Sequence, residues 1–306
     1  MTRFFLRTRS LRLIYFGFSL FVFLLLTGCG AAKSAEIVDR AGRTVKINYP
    51  IKRVISTAPS NTEIIVDLRQ AGKLAAIDIH SANIDGIPAN LPLLDFFYPD
   101  AEAIINLEPD LIIASGHNTT GAGDDPFRLL TEAGIPVVYI SMSKSIEEIY
   151  KDIAFIAELL NAREEGEKLI ASTRARVEEI ALAAANTGNK KTVYFEISSA
   201  PYMMTFGKDS FIDDMISVIG AVNIFGNDAW LVSPGAEPII QRNPDVILTN
   251  VNYIDDPIGE IKSRPGFNHI NAVINDRVYY IDNDSSSRPS ARIVLALRQM
   301  REAVYP

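Results

Sequence analysis

Cysteine is almost absent from this chain: of 306 residues only Cys29 carries a thiol. That excludes an intramolecular disulfide framework and any metal or iron–sulfur centre built on several cysteines. Histidine is nearly as scarce, with three residues at 80, 117 and 269, a thin supply for a bare zinc or manganese site. Basic residues are in deficit, since 30 Lys and Arg stand against 37 Asp and Glu and leave a net charge of −7. Broad electrostatic capture of nucleic acid is therefore excluded. The motifs of common enzyme chemistry are missing too: no G-x-x-x-x-G-K-[ST], no G-x-G-x-x-G after the first strand, no H-E-x-x-H and no G-x-S-x-G. The glycine- and hydroxyl-rich loop from Ser115 to Asp125 lacks the lysine of a phosphate cradle and ends in acids; its expected place is a lobe edge near a cleft. No residue is assigned a catalytic role. What is present is globular, 48% hydrophobic and 22% charged, with material for a large core.

The one cysteine ends a targeting segment. Residues 1–28 hold Arg3, Arg7, Arg9 and Arg12, no acid, and an apolar run from Leu13 to Leu26. That run is short of the roughly 20 residues a mature membrane-spanning helix needs, so it reads as a signal peptide. Leu26-Thr27-Gly28-Cys29 resembles a bacterial lipobox, which makes Cys29 the acylated first residue of the mature chain; the alternative is an ordinary secretory peptide cut nearby, for example after Ala35. Removing four arginines and no acids leaves 26 basic against 37 acidic residues, a net charge of −11. Residues 29–35 are small and polar enough to form a tether.

Beyond the tether, apolar β-branched runs at 53–56, 74–79, 111–114 and 137–140 alternate with helix-like stretches. A second series follows at 192–197, 246–249 and 278–281, so the chain is α/β and the pattern occurs twice. Between the series Ile146, Ile149, Ile153, Ile156 and Leu160 mark one apolar helix face. The proline-free segment 162–185, weakened only at Gly166, then predicts a helix on the order of 36 Å long that could bridge two lobes, stopped at Gly188. Two segments match at an offset of 135 residues: EAIINLEPDLII from Glu102 and EPIIQRNPDVIL from Glu237. Each predicts a short helix starting near its glutamate, a Pro-Asp turn and a buried strand. Glu102 and Glu237 thus stand at equivalent helix starts, where the helix dipole favours a carboxylate.

The lipobox, RVISTAPSNTEII from Arg53, the two repeats, GAVNIF from Gly220 and the terminal SRPSARIVLALRQM together resemble the substrate-binding lipoproteins of ABC importers for ferric siderophores, haem and cobalamin. The resemblance covers nearly all of the mature chain in order. It implies two Rossmann-like lobes, 36–161 and 187–306, joined by a single long helix over 162–186, with the ligand in the cleft between them. It implies a partnership with a membrane permease and its ATPase, and places Glu102 and Glu237 at the positions that dock onto permease arginines. It also implies a monomer that performs no chemistry, exported and held by lipid on the outer face of the cytoplasmic membrane or facing the periplasm.

The same resemblance directs attention to four stretches that should line the cleft. They contain Phe96, Phe97 and Tyr98; Tyr202, Met203 and Met204; Trp230, the only tryptophan; and Arg288 and Arg292 at the start of the last helix, with Pro289 as its expected first residue. His117, after a strand end, is a further candidate, whereas His80 and His269 are expected at the surface. Rings suit a large planar or aryl ligand and arginines its anionic oxygens. A ferric siderophore, whose own oxygens fill the iron's coordination sphere, fits best. Haem, with Tyr98 as a possible iron ligand, and cobalamin remain alternatives, as does an exported enzyme on the same fold.

Overall fold

The computed structural model describes residues 33–119, 125–185 and 188–306. The signal peptide, Cys29 and residues 120–124 of the glycine-rich loop lie outside the described residues. The first lobe is built on five parallel strands in the spatial order Leu93–Leu94, Leu74–Asp78, Val54–Ser56, Leu111–Ser115, Val137–Ile140. The second has four, in the order Val222–Asn223, Thr192–Glu196, Val246–Thr249, Val278–Tyr280, again parallel. The central strands are buried along almost their whole length, which is why they read as unbroken apolar runs rather than alternating ones. The chain is thus an α/β protein of two lobes.

The internal repeat is visible in space. Helix Ala101–Asn106 leads into strand Leu111–Ser115, and helix Ala236–Arg242 into strand Val246–Thr249. Its aspartates do the same work twice. Asp110 Oδ2 accepts the backbone N–H groups of Lys52 and Arg53 at 2.7 and 2.8 Å, fixing the start of the neighbouring strand. Asp245 Oδ2 accepts from the backbone N–H and the hydroxyl of Thr192 at 3.0 and 3.1 Å, at the equivalent strand of the second lobe.

Helix Ile146–Leu159 buries Ile146, Ile149, Ile153 and Ile156, the face its sequence marks. Asn161, at φ 55°, turns the chain into helix Arg163–Ala185, about 35 Å long. Gly166 is not a defect in that helix but the point where the two helices touch: a Cβ there would sit 2.5 Å from Ala157 Cβ. One continuous apolar core runs from Ile149 and Ile153 through Val177 and Ile180 of the linking helix to Ile212, Met215, Leu297 and Met300 of the second lobe. Each lobe also has a core of its own, around Phe96, Phe127 and Tyr139 in the first and around Tyr194, Phe225 and Phe267 in the second.

Two expectations need correction, and some short strands were not foreseen. Lys33–Ala35, expected in the tether, already pair with Ile47–Tyr49 in an antiparallel hairpin, Lys33–Val38 with Thr44–Tyr49. Its turn is held by Asp39 Oδ1, which accepts from the backbone of Ala41 and Arg43. The last helix begins at Ile293 rather than Pro289, because a separate short helix, Asn283–Ser287, ends at Arg288. The short edge strands and the small pair Thr205–Phe206 with Leu231–Val232 lacked a sequence signal of their own. No helix among the described residues is long and apolar enough to cross a membrane.

Candidate functional site

In open parallel sheets ligands gather at the carboxyl ends of the strands, where the strand order reverses. In the first lobe that point lies between Val54–Ser56 and Leu111–Ser115, whose chains leave the sheet through Thr57 and Gly116. A cavity of about 580 Å3 opens there, floored by Thr57, Ser115 and Asn118 and faced from the second lobe by Asn252, Asn283 and Arg288. The size is within the range of about 300–1,000 Å3 usual for small-molecule pockets.

Its polar floor is fixed by internal hydrogen bonds. Thr57 Oγ1 donates to Asn118 Oδ1 at 2.6 Å, and the Ser115 N–H reaches the same oxygen at 2.9 Å. Asn118 Nδ2 is held in turn by the Phe96 carbonyl at 3.3 Å. Helix Pro59–Asp67 starts at the cavity without a side-chain cap, with Ala58, Pro59 and Ser60 on the wall. Its dipole gives that wall a positive bias. Burial pushes the carboxyl of Asp78, at the end of its strand, above the usual carboxylate range. Crowding by protein lowers the pKa of His117, which is open to the cleft on one side and has Ser115 Oγ at 3.3 Å from Nδ1.

A second pocket of about 220 Å3 shares His117, Asn283, Ser287 and Pro289 with the first and is different in kind. Its walls are Met142, Ile197, Phe206, Phe211 and Trp230, and the rings of Phe206 and Trp230 lie 5.0 Å apart. The cleft therefore has a polar chamber and an apolar, aromatic side pocket that meet at His117.

Of the residues that sequence pointed to, Phe97, His117, Trp230 and Arg288 line these two cavities. Phe96 does not. It is fully buried with its ring 6.1 Å from that of Phe127, so it packs the first lobe's core while its neighbour Phe97 faces the chamber. Tyr98 and Tyr202 are 86% and 78% exposed and line neither cavity. Met204 also lines neither; its backbone joins Ser198 and Ile197. His80, expected at the surface, is exposed there and also borders the chamber.

Arg288 is where the structure departs most from the sequence reading. Nη1 donates to Glu63 Oε1 at 3.0 Å, and Nη2 reaches the His80 carbonyl and Asn83 Oδ1 at 3.1 Å each. Asp284 is a further partner at 2.8 Å. Ser290 Oγ completes the clasp by donating to Glu63 Oε2 at 2.6 Å, and Asn83 Nδ2 donates to Asp284 Oδ2 at 2.7 Å. Arg292 stands farther off, with Nε 3.8 Å from Glu63. The arginine thus does two things: it borders the cavity, and it ties the second lobe to a glutamate buried in the first. Burial raises the pKa of Glu63, against the opposing hydrogen bonds from Ser290 and Arg288. Thr57, Asn118, Asn252 and Asn283 were missed from sequence, although the strand-end rule applied to Ser56 and Thr249 points at the loops that carry the first and third.

The chain is 28% identical over 302 residues to the uncharacterized ABC transporter substrate-binding lipoprotein YvrC of Bacillus subtilis, covering 92% of this chain and 94% of that one. It is 29% identical over 259 residues to a vitamin B12-binding protein of Vibrio cholerae, covering 82% and 88%. Among solved structures, a possible iron-binding (periplasmic solute-binding) protein from Staphylococcus epidermidis superposes with a TM-score of 0.75 at 32% identity, over 84% of this chain and 99% of that one. The family model described as periplasmic binding protein matches residues 54–285, a span that takes in both sheets, the helix between them and most of the cleft's lining, and on that match the chain belongs to the periplasmic binding protein family.

Proposed function

We propose that this protein is the substrate-binding lipoprotein of an ABC importer and that it carries a ferric siderophore to the membrane permease. The observation that carries the reading is the divided cleft. Its chamber offers neutral Asn, Ser and Thr groups, the edge of Arg288 and a helix N-terminus beside two acids, Asp78 and the Arg288-paired Asp284, while its side pocket offers rings. Among the described residues no three His, Cys, Asp or Glu side chains are grouped to hold a metal ion. Cargo that brings its own oxygen ligands to iron needs only what is there: donors and positive bias for the chelate, and apolar surface for an aryl or acyl part. The Staphylococcus neighbour, named as a possible iron-binding protein, supports the same direction. Cobalamin is the second reading, favoured by the Vibrio relatives named for vitamin B12.

The lipoprotein relative supports acylation at Cys29, and with it export and retention at the membrane. The exposed first-turn carboxylates of Glu102 and Glu237, one per lobe, are the proposed contacts with basic permease loops. Protein purified from its own cells tests the cargo. A corrin spectrum or a Soret band overturns the siderophore, and neither leaves it standing. Ferric siderophores should then quench Trp230 on titration, and Trp230→Ala should weaken the tightest binder about tenfold or more. A siderophore panel with no effect on Trp230 emission refutes the assignment.

A further inference from the structure

Away from the cleft, a groove of about 1000 Å3 runs between the N-terminal hairpin and the end of helix Ile146–Leu159. Its floor is apolar, with Ile51, Phe155 and Leu159, and the exposed Val38 stands at its edge. Its rim carries Lys33, Lys52, Lys73 and Arg163. The one acid on the rim, Glu158, is paired with Arg163 at 3.0 Å, and Lys73 Nζ rests on the Leu160 carbonyl at 2.6 Å. Lys33 and Lys52 are exposed. Four cations and one anion thus surround an apolar floor in a chain whose overall charge is −7. A cationic rim over apolar surface is the pattern by which proteins seat on the headgroup layer of an anionic bilayer.

The groove also has the right place in the chain. The hairpin begins at Lys33, itself a rim residue, four peptide steps after Cys29. At about 3.3–3.6 Å per residue those steps span less than about 15 Å. An acyl chain on Cys29 therefore holds this rim beside the phosphates at high effective concentration, where weak attraction suffices.

We infer that the groove is a docking surface for anionic phospholipid, with its rim lysines on the headgroup phosphates and its apolar floor toward the glycerol boundary. This seats the first lobe on the membrane through a face distinct from the ligand cleft. The inference rests on acylation at Cys29, as proposed above. The test uses the mature lipoprotein in vesicles of phosphatidylcholine with or without phosphatidylglycerol, carrying an environment-sensitive dye on Val38→Cys, a groove residue 63% exposed. An acylated Cys29 leaves one thiol for the dye. A chain whose mass lacks an acyl group on Cys29, whether that thiol takes a second dye or is cut away with the leader, refutes the anchor, and that outcome is distinct from failure of docking. With one dye, emission should shift to the blue on phosphatidylglycerol vesicles and much less on phosphatidylcholine alone. Lys33→Gln and Lys52→Gln should each shift the docking equilibrium about fivefold, and added salt should act in the same sense. Amide exchange across Thr44–Tyr49 in the unlabelled protein is the second readout, and it should slow only on the anionic vesicles. Equal emission on the two vesicle types, or lysine variants that fold and dock as the parent does, overturns the docking surface.

Discussion

Glu63 and Arg288 are 225 residues apart and join the two lobes, so cutting their contact tests the clasp directly. Glu63→Gln keeps the shape and removes the charge. It leaves the Arg288 guanidinium, only 12% exposed, with Asp284 as its remaining anionic partner. Removing one member of a buried ion pair costs about 3–5 kcal/mol when the other is left unpaired. Asp284 and the retained Ser290 contact soften that to about 2–4 kcal/mol. For a protein of this size the melting temperature should fall by about 3–7 °C. Arg288→Gln should cost about as much. The double substitution should cost little more than either, because both singles remove the same interaction; the coupling in the cycle should exceed about 1.5 kcal/mol. Calorimetric or circular-dichroism melts of the four proteins supply the numbers. If the two effects add, or if Arg288→Gln weakens ligand binding while Glu63→Gln changes neither binding nor stability, the clasp is wrong and Arg288 serves the ligand alone.

Asp152 is buried against Arg40 and Ser143, and desolvation pushes its carboxyl up to about 6. A carboxylate held above its unfolded value contributes stability that is full below about pH 4 and lost as pH rises through about 6. The wild type should lose up to about 3 kcal/mol relative to Asp152→Asn across that window; parallel stability curves between pH 4 and 7 would contradict it. Gly166→Ala should destabilise by up to about 2 kcal/mol, since overpacking against Ala157 outweighs the alanine's helix preference of about 1 kcal/mol. Adding Ala157→Gly should recover part of the loss in denaturant melts, and a single substitution more stable than wild type refutes the contact. Charge reversal at both Glu102 and Glu237 should abolish uptake by whole cells while leaving ligand affinity intact, and loss of affinity in the purified variant rules out a docking role.

The strands were legible where burial on both faces forces unbroken apolar runs, as at Leu111–Ser115 and Val246–Thr249. The hairpin was not, because its strands mix Lys, Glu, Asn and Thr with half-exposed apolar residues and rest on one face only. The aromatic run lies in a bend beyond strand Leu93–Leu94. Composition drew attention to all three rings, but only the folded bend puts Phe96 in the core and Phe97 in the chamber. Trp230 was legible as a lone ring in a polar context, yet its partner Phe206 comes from a distant short strand that sequence did not mark. Glu63, inside the segment from Arg53, carries no signal of its own in the sequence. Its burial depends on an arginine that only the folded chain brings near.

The lobes are tied in three ways: through the linking helix, through the apolar core that crosses it, and through polar contacts between lobes. Those contacts include the Glu63 clasp and Asp214 Oδ2, which accepts the Ile146 N–H at 2.8 Å where the first lobe's helix begins. Swinging the lobes apart would expose packed Ile and Met side chains and strip a buried carboxylate of its partners, each step costing about 1 kcal/mol or more. The cleft is therefore set before the ligand arrives, and binding spends little on rearrangement. Selection among ligands then falls to the walls themselves. A ligand gains by matching the Thr57–Asn118 floor and filling the pocket beside Trp230. An anionic group placed at Arg288 competes with Glu63, so the chamber favours cargo whose negative charge sits toward the Pro59 helix start instead.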